Sequence, residues 1–263
     1  MTRVEELTRA LAGRGRLLVL FSGGLDSTLL AKLAHDGLGD DAQALTIDST
    51  VVPRSEAACA RVLATEIGIA QHILRLNEVE QSHFRSNPPD RCYHCRKSRD
   101  AAAWRWAREH GFAVIADGLS HSDLADYRPG LKAATEDQIW HPFIDFKVGK
   151  DEIRTLSKEL GLSGWDRPSM ACLASRFPHG FAVTPGRVDR VDRAEEYLRS
   201  LGFVRVRVRH FPHDLAVVEV DDPAKAVALR GQMVSRLREL GFSFVSLDLE
   251  DFASGKMNRT AEV

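Results

Sequence analysis

The chain predicts an α/β fold, a doubly wound parallel sheet followed by a small α+β domain. Three observations carry that prediction. Short apolar runs alternate with helical patterns through the first part of the chain, the first run breaks into a glycine turn, and the rhythm changes near Phe177-Pro178-His179-Gly180. Strands alternating with helices form right-handed βαβ units, and such units stack into a parallel sheet with helices on both faces. The expected boundary separates residues 1–178 from residues 179–263.

Each element has its own signal. Leu7 and Leu11 mark one side of an opening helix, and Leu17–Phe21 is an apolar strand that stops at Ser22-Gly23-Gly24. Leu29, Leu30 and Leu33 then recur on one side of a helix. Residues 44–48 read as a second strand, residues 55–67 as a helix capped by Ser55, and residues 73–76 as a third strand. A polar, proline-bearing loop leads to a helix over residues 98–110, a strand over residues 113–117 stopped by Gly118, and a helix over residues 150–160 stopped by Gly161. Beyond the change of rhythm the pattern is helix (187–201), strands (205–209 and 216–220), helix (223–240) and strand (244–249).

The bulk numbers narrow the class of function. The 263 residues are 44% hydrophobic and 28% charged, which is ordinary for a globular protein. Lys plus Arg number 36 against 37 acidic residues, so no global field favours a polyanion, and no nucleic-acid partner is expected. No apolar run reaches membrane-spanning length, and the N-terminus lacks the apolar core of a signal peptide. A cytoplasmic protein with four reduced or metal-binding cysteines follows as the expectation.

The most informative segment is Ser22-Gly23-Gly24-Leu25-Asp26-Ser27, between the first strand and its helix. Two glycines allow a tight turn whose N–H groups converge on phosphate oxygens. The helix N-terminus adds its dipole, Ser22 and Ser27 add hydroxyls, and Asp26 is placed to hold Mg²⁺ bridging phosphates. No Lys follows the glycines, so this is not a Walker A loop. The segment matches the SGGxDS signature of the PP-loop ATP pyrophosphatases, which cleave ATP between its α and β phosphates. Asp48 and Asp117-Gly118 close the second and fourth strands, where open α/β sheets bind ligands, although each reads equally well as an acidic loop end.

Cys92 and Cys95 form a CxxC pair, and Cys172 stands apart beside Ser175 and Arg176. Cys59, in an apolar-leaning helix, reads as an ordinary core thiol. Three thiolates can ligate a 4Fe-4S cluster and leave one iron open to carry sulfide. The rival readings are a zinc knuckle joined by His94, a redox dithiol, or coincidence. Arg205, Arg207 and Arg209 alternate with valines, either as a solvated strand face or as a clamp for anions. Arg128, in a turn after the fourth strand, and Arg96 are further candidates for anion binding.

With these motifs assembled, the chain resembles the LarE family of PP-loop sulfur transferases. The resemblance rests on FSGGLDSTLL (Phe21–Leu30), DYRPGLKA (Asp126–Ala133), CLASRFPHG (Cys172–Gly180), YLRSLGF (Tyr197–Phe203) and LDLEDFASGKMN (Leu247–Asn258), and covers nearly the whole chain. It implies a sheet of the PP-loop (adenine nucleotide alpha hydrolase-like) type and a role in nickel-pincer cofactor biosynthesis. It further implies that ATP adenylylates a carboxylate of an anionic, nicotinate-derived pyridinium mononucleotide, and that sulfur then displaces AMP to give a thiocarboxylate. One branch of the family sacrifices the sulfur of a single cysteine at the position of Cys172, while another carries CxxC as well and uses a cluster. This sequence has all three cysteines and resembles the cluster branch, with sulfide or another sulfur donor as partner. The expected site is Ser22, Gly23, Gly24, Asp26, Ser27, Asp48 and Gly118 for ATP and Mg²⁺, and Cys92, Cys95 and Cys172 for the cluster. Arg96, Arg128, Ser175, Arg176, Arg207 and Arg209 are expected to meet substrate. Family members assemble into rings, so a homo-oligomer is expected. The rivals are a cluster-dependent tRNA thiolase and sulfur donation from Cys172 itself.

Overall fold

The computed structural model describes residues 1–125, 129–167, 171–250, 252–253 and 256–257. Arg128 and most of the DYRP turn lie outside the described residues. Two compact units emerge, Met1–Leu76 with Cys92–Met170, and Asn77–Arg91 with Ala171–Val263. The chain therefore does not part at a single point after residue 178. Asn87 shows why residues 77–91 go with the second unit: its side-chain amide donates to the carbonyls of Phe177 (3.3 Å), Pro178 (2.7 Å) and Phe181 (3.2 Å). Such bonds join positions distant in sequence, and no local pattern announces them.

The first unit runs α1 (Arg3–Ala12), β1 (Leu17–Leu20), α2 (Leu25–Leu38), β2 (Ala42–Asp48), α3 (Arg54–Ile67), β3 (Ala70–Arg75), α4 (Arg91–Glu109), β4 (Val114–Ala116), α5 (Pro129–Glu136) and α6 (Lys150–Glu159). All four strands are parallel, in the order β3-β2-β1-β4. Central β1 is apolar on both faces because both are covered. Leu17 and Val19 pack with Leu29, Leu30 and Leu33 of α2, while Leu18 packs with Ala103 and Ala107 of α4. Each such leucine buried contributes about 1.5–3 kcal/mol, which makes β1 the spine of the unit.

Local chemistry sets the helix ends. Thr2 caps α1 through a reciprocal capping box with Glu5. Pro53, not Ser55, precedes α3, and no side chain caps that helix. α4 starts at Arg91 rather than near residue 98, so the CxxC segment expected in a loop is helical. Among the described residues, no helix is long and apolar enough to cross a membrane.

The second unit contains α7 (Pro185–Ser200), β5 (Val206–Phe211), β6 (Leu215–Val220), α8 (Pro223–Ala228), α9 (Arg230–Glu239) and β7 (Phe244–Leu247). β5 pairs antiparallel with β6, and β6 pairs parallel with β7. The single helix expected over residues 223–240 is two, parted at Leu229, whose ψ of 7° leaves the helical range.

Candidate functional site

The turn after β1 is shaped by its glycines. Gly23 adopts φ +73°, and a Cβ there would lie 2.7 Å from the Ala60 Cα of α3. Only glycine satisfies both conditions. The two serines then brace the turn from within: Ser22 Oγ and Ser27 Oγ are 3.1 Å apart, Gly24 N–H donates to Ser22 Oγ, and Ser27 Oγ donates to the Gly24 carbonyl. Gly24 stands at the start of α2 with no side-chain cap, so first-turn N–H groups and the helix dipole face whatever enters.

This turn forms one wall of a cavity of about 280 Å³. Ser22, Asp26 and Ser27 line its polar end, and Phe21, Leu45, Ile47, Val52 and Leu119 give it an apolar side. Gly118 belongs to the same wall, where a Cβ would sit 2.7 Å from Ser27 N and 2.8 Å from the Asp26 carbonyl carbon. Glycine there lets the end of β4 press against the cradle.

The cavity's charges are matched in pairs. Lys150, at the start of α6, forms a close ion pair with Asp26, and its Nζ is 3.3 Å from Asp123 Oδ2. Asp123 is itself buried and accepts from the N–H and hydroxyl of Ser120. Arg96 of α4 is held by both oxygens of Asp100 through Nε (2.8 and 2.7 Å) and by Asp117 Oδ2 through Nη2 (2.6 Å). Asp117 Oδ1 accepts from His141 Nδ1 (2.7 Å) and from Leu119 N–H (3.1 Å). Burial alone would raise the Asp117 pKa, but the His141 hydrogen bond and the Arg96 charge outweigh it and hold the carboxyl below its ordinary value. Asp100 goes the other way: burial raises it, and Arg96 only partly opposes that. Burial likewise disfavours the Arg96 cation, yet Asp117 and Asp100 raise its pKa above the ordinary value.

Of the residues expected around ATP, the structure brings Ser22, Asp26, Ser27 and Gly118 to this cavity together with Arg96. Asp48 is not among them, because at the end of β2 it pairs across the strands with Arg75, 4.0 Å away. Lys150, Asp123 and Asp100 are additions that the sequence reading missed. A lysine opening a helix far from the glycine turn carries no local signature, and neither does an isolated aspartate.

Cys92 and Cys95 lie one turn apart near the start of α4, so they share a face of the helix. Cys92 is exposed and Cys95 half-buried.

In the second unit, Cys172, Ser175, Arg176, Arg207 and Arg209 form a cluster. Arg176 is 1% exposed and makes a two-pronged ion pair with Glu195 (2.7 and 3.0 Å). Its Nη1 donates to the carbonyls of Ala171 and Cys172 and to Ser175 Oγ. Expected as a substrate contact, its guanidinium is instead engaged inside the unit, holding the loop that presents the exposed Cys172. Arg209 pairs in the same two-pronged way with Glu219 (2.7 and 3.1 Å) and donates to the Ser175 carbonyl. Neither Arg207 nor Arg209 is on a solvated face, since all of residues 206–210 are buried. Arg207 differs from its neighbours. It donates to the Ala253 carbonyl and lies over the Phe252 ring, but among the described residues no carboxylate pairs with it. Burial, then repulsion from Arg209 and Arg176, lowers its pKa to about 10. A buried cation under such repulsion is destabilised, and an anion beside it would relieve that cost.

Comparison with known proteins places the chain in a family. Residues 5–111 match the Asparagine synthase family model. An uncharacterized protein of Synechocystis is 39% identical over 98% of this chain and 97% of its own length. Another, from Methanocaldococcus jannaschii, is 30% identical over 91% of each chain. A pyridinium-3,5-bisthiocarboxylic acid mononucleotide synthase of Lactiplantibacillus plantarum is 37% identical over 98% of this chain and 95% of its own. Identity of that extent along nearly the whole of both chains shows common descent, and the chain belongs to the LarE family of PP-loop proteins, as an ATP-using enzyme.

Proposed function

We propose that this enzyme adenylylates a carboxylate of a nicotinate-derived pyridinium mononucleotide, releases pyrophosphate, and replaces AMP by sulfur to give a thiocarboxylate for nickel-pincer cofactor biosynthesis. The glycine cradle opening into a half-apolar, half-charged cavity is the observation that carries this reading. The apolar side suits a purine base, and the cradle suits phosphates. Lys150, released from Asp26 and Asp123, adds a cation for phosphate charge. Those same carboxylates offer the hard oxygen donors that Mg²⁺ prefers and would hold it, and Mg²⁺ bound there neutralises phosphate oxygens.

The chemistry follows from leaving groups. A carboxylate cannot expel oxide, whereas its mixed anhydride with AMP expels AMP readily. The carboxylate oxygen attacks the α phosphorus, the bond to the β phosphate breaks, and pyrophosphate leaves. Sulfur then adds to the activated carbonyl carbon and AMP departs. Arg207, without a carboxylate partner among the described residues, supplies a cation for a phosphate or second carboxylate of the substrate. Arg176 keeps the Cys172 loop in place through the Cys172 carbonyl. The resemblance to the cluster branch assigns Cys92, Cys95 and Cys172 to a 4Fe-4S cluster, whose donors are thiolates and which would supply sulfide at an open iron.

Substrate-dependent pyrophosphate release is the test. With ATP and a dicarboxylated pyridinium mononucleotide, the protein should release pyrophosphate, and Asp26→Asn should slow it at least about 100-fold. Release that ignores the pyridinium substrate would refute the assignment.

A further inference from the structure

Arg96 follows Cys95 directly, yet it faces a different structure. One residue along an α-helix is a rotation of about 100°, so with Cys92 and Cys95 sharing a face, Arg96 projects from its flank. There it meets two carboxylates of unlike kind. Asp100 is one turn further along α4, fully buried, and fixes the guanidinium without linking the helix to anything else. Asp117 stands at the end of β4, on the cavity wall, and its bond to Arg96 ties two elements together.

Asp117 has no freedom to follow the helix passively. His141 and the Leu119 N–H hold its other oxygen. The next residue, Gly118, presses on the cradle so closely that a Cβ would meet Ser27 N at 2.7 Å. A contiguous path therefore runs from the cradle through Gly118 and Asp117 to Arg96 and the cysteine-bearing turn. The fork of Arg96 suits this place because it can hold both carboxylates at once, which a lysine ammonium cannot do with the same geometry.

We propose that Arg96 is a positioning residue which sets the Cys92–Cys95 turn of α4 against the nucleotide end of β4, so that filling the cavity changes the reactivity of these thiols. The proposal rests on the nucleotide reading of the cavity but not on sulfur transfer. Iodoacetamide alkylation of the full chain, followed cysteine by cysteine by mass spectrometry with and without ATP, tests it. Calorimetry confirms that ATP saturates each protein. In the wild type, ATP should shift the rates at Cys92 and Cys95 at least about twofold. Arg96→Gln should abolish that shift, and Arg96→Lys should reduce it strongly. Should Arg96→Gln fail to fold by circular dichroism, Arg96→Lys, which keeps the charge, decides the matter. A wild-type rate indifferent to ATP, or an equal shift in Arg96→Lys, overturns the proposal. Absence of ATP binding in the wild type overturns the nucleotide reading and this proposal with it, whereas binding without a shift overturns the proposal alone.

Discussion

Single side chains at two positions carry much of the specification. Gly23 combines a positive φ with contact against the Ala60 backbone, so Gly23→Ala meets strain and clash together. Strain of that kind alone costs about 1–3 kcal/mol. Urea unfolding should show at least that loss, and calorimetry a drop in ATP affinity of about tenfold or more, since α3 must retreat from the cradle. Wild-type stability in this variant would mean that the turn is not built as described. Arg207 makes the opposite case, a residue whose charge opposes folding. Burial, and then Arg209 and Arg176, lower its pKa from the ordinary arginine value to about 10. Between those values the unfolded chain binds more protons at this group than the folded one, so its contribution to stability rises with pH in that window. At neutral pH the buried cation therefore destabilises, and an anion beside it should relieve that. Inorganic phosphate should raise the melting temperature of the wild type, with about 2.7 kcal/mol of stabilisation at one hundred times the dissociation constant. Arg207→Met should melt higher than the wild type without phosphate and gain little from it. An equal gain in both proteins would place the anion elsewhere.

At the scale of elements, β5 shows what alternation conceals. Its arginines read as one face of an amphipathic strand, but the face is buried: Arg209 pairs with Glu219 of β6, and Arg207 lies without a carboxylate partner among the described residues. Removing one partner of such a pair leaves an uncompensated buried charge. Arg209→Ala should thus lose about 3–5 kcal/mol in urea unfolding, while Arg209→Met with Glu219→Leu should recover most of it. A single variant losing under about 1 kcal/mol would show that the pair is solvated. The same contrast separates what could be read in the sequence from what could not. β1, the cradle and α2 were legible because an apolar strand, two glycines and a leucine-sided helix are contiguous signals. The helical state of Cys92 and Cys95 was hidden by the prolines before it and by the polar residues around it. Lys150 and Asp123 were hidden because the fold, not local spacing, brings them to Asp26.

The whole molecule is nearly neutral, at −1, and its electrostatics are accordingly local: paired charges in the cavity of one unit, and an arginine without a carboxylate partner among the described residues of the other. Each unit also contributes cysteines, Cys92 and Cys95 from the first and Cys172 from the second. That inventory permits two sources of sulfur, which differ in what they leave behind. If Cys172 gives up its own sulfur, its Cβ–Sγ bond breaks and dehydroalanine remains, so the chain loses about 34 Da, the mass of hydrogen sulfide, and can turn over only once. Where sulfur is delivered from outside while Cys172 serves as a ligand, the chain keeps its mass through many turnovers. The presence of Cys92 and Cys95 in the same sequence as Cys172 is the ground on which the second course is proposed. Intact-protein mass spectrometry after reaction with excess ATP, pyridinium substrate and sulfide should therefore find the chain unchanged and more than one thiocarboxylate formed per protein. Loss of about 34 Da mapping to Cys172, with product never exceeding one per chain, would assign the sulfur to that side chain and leave Cys92 and Cys95 outside the transfer.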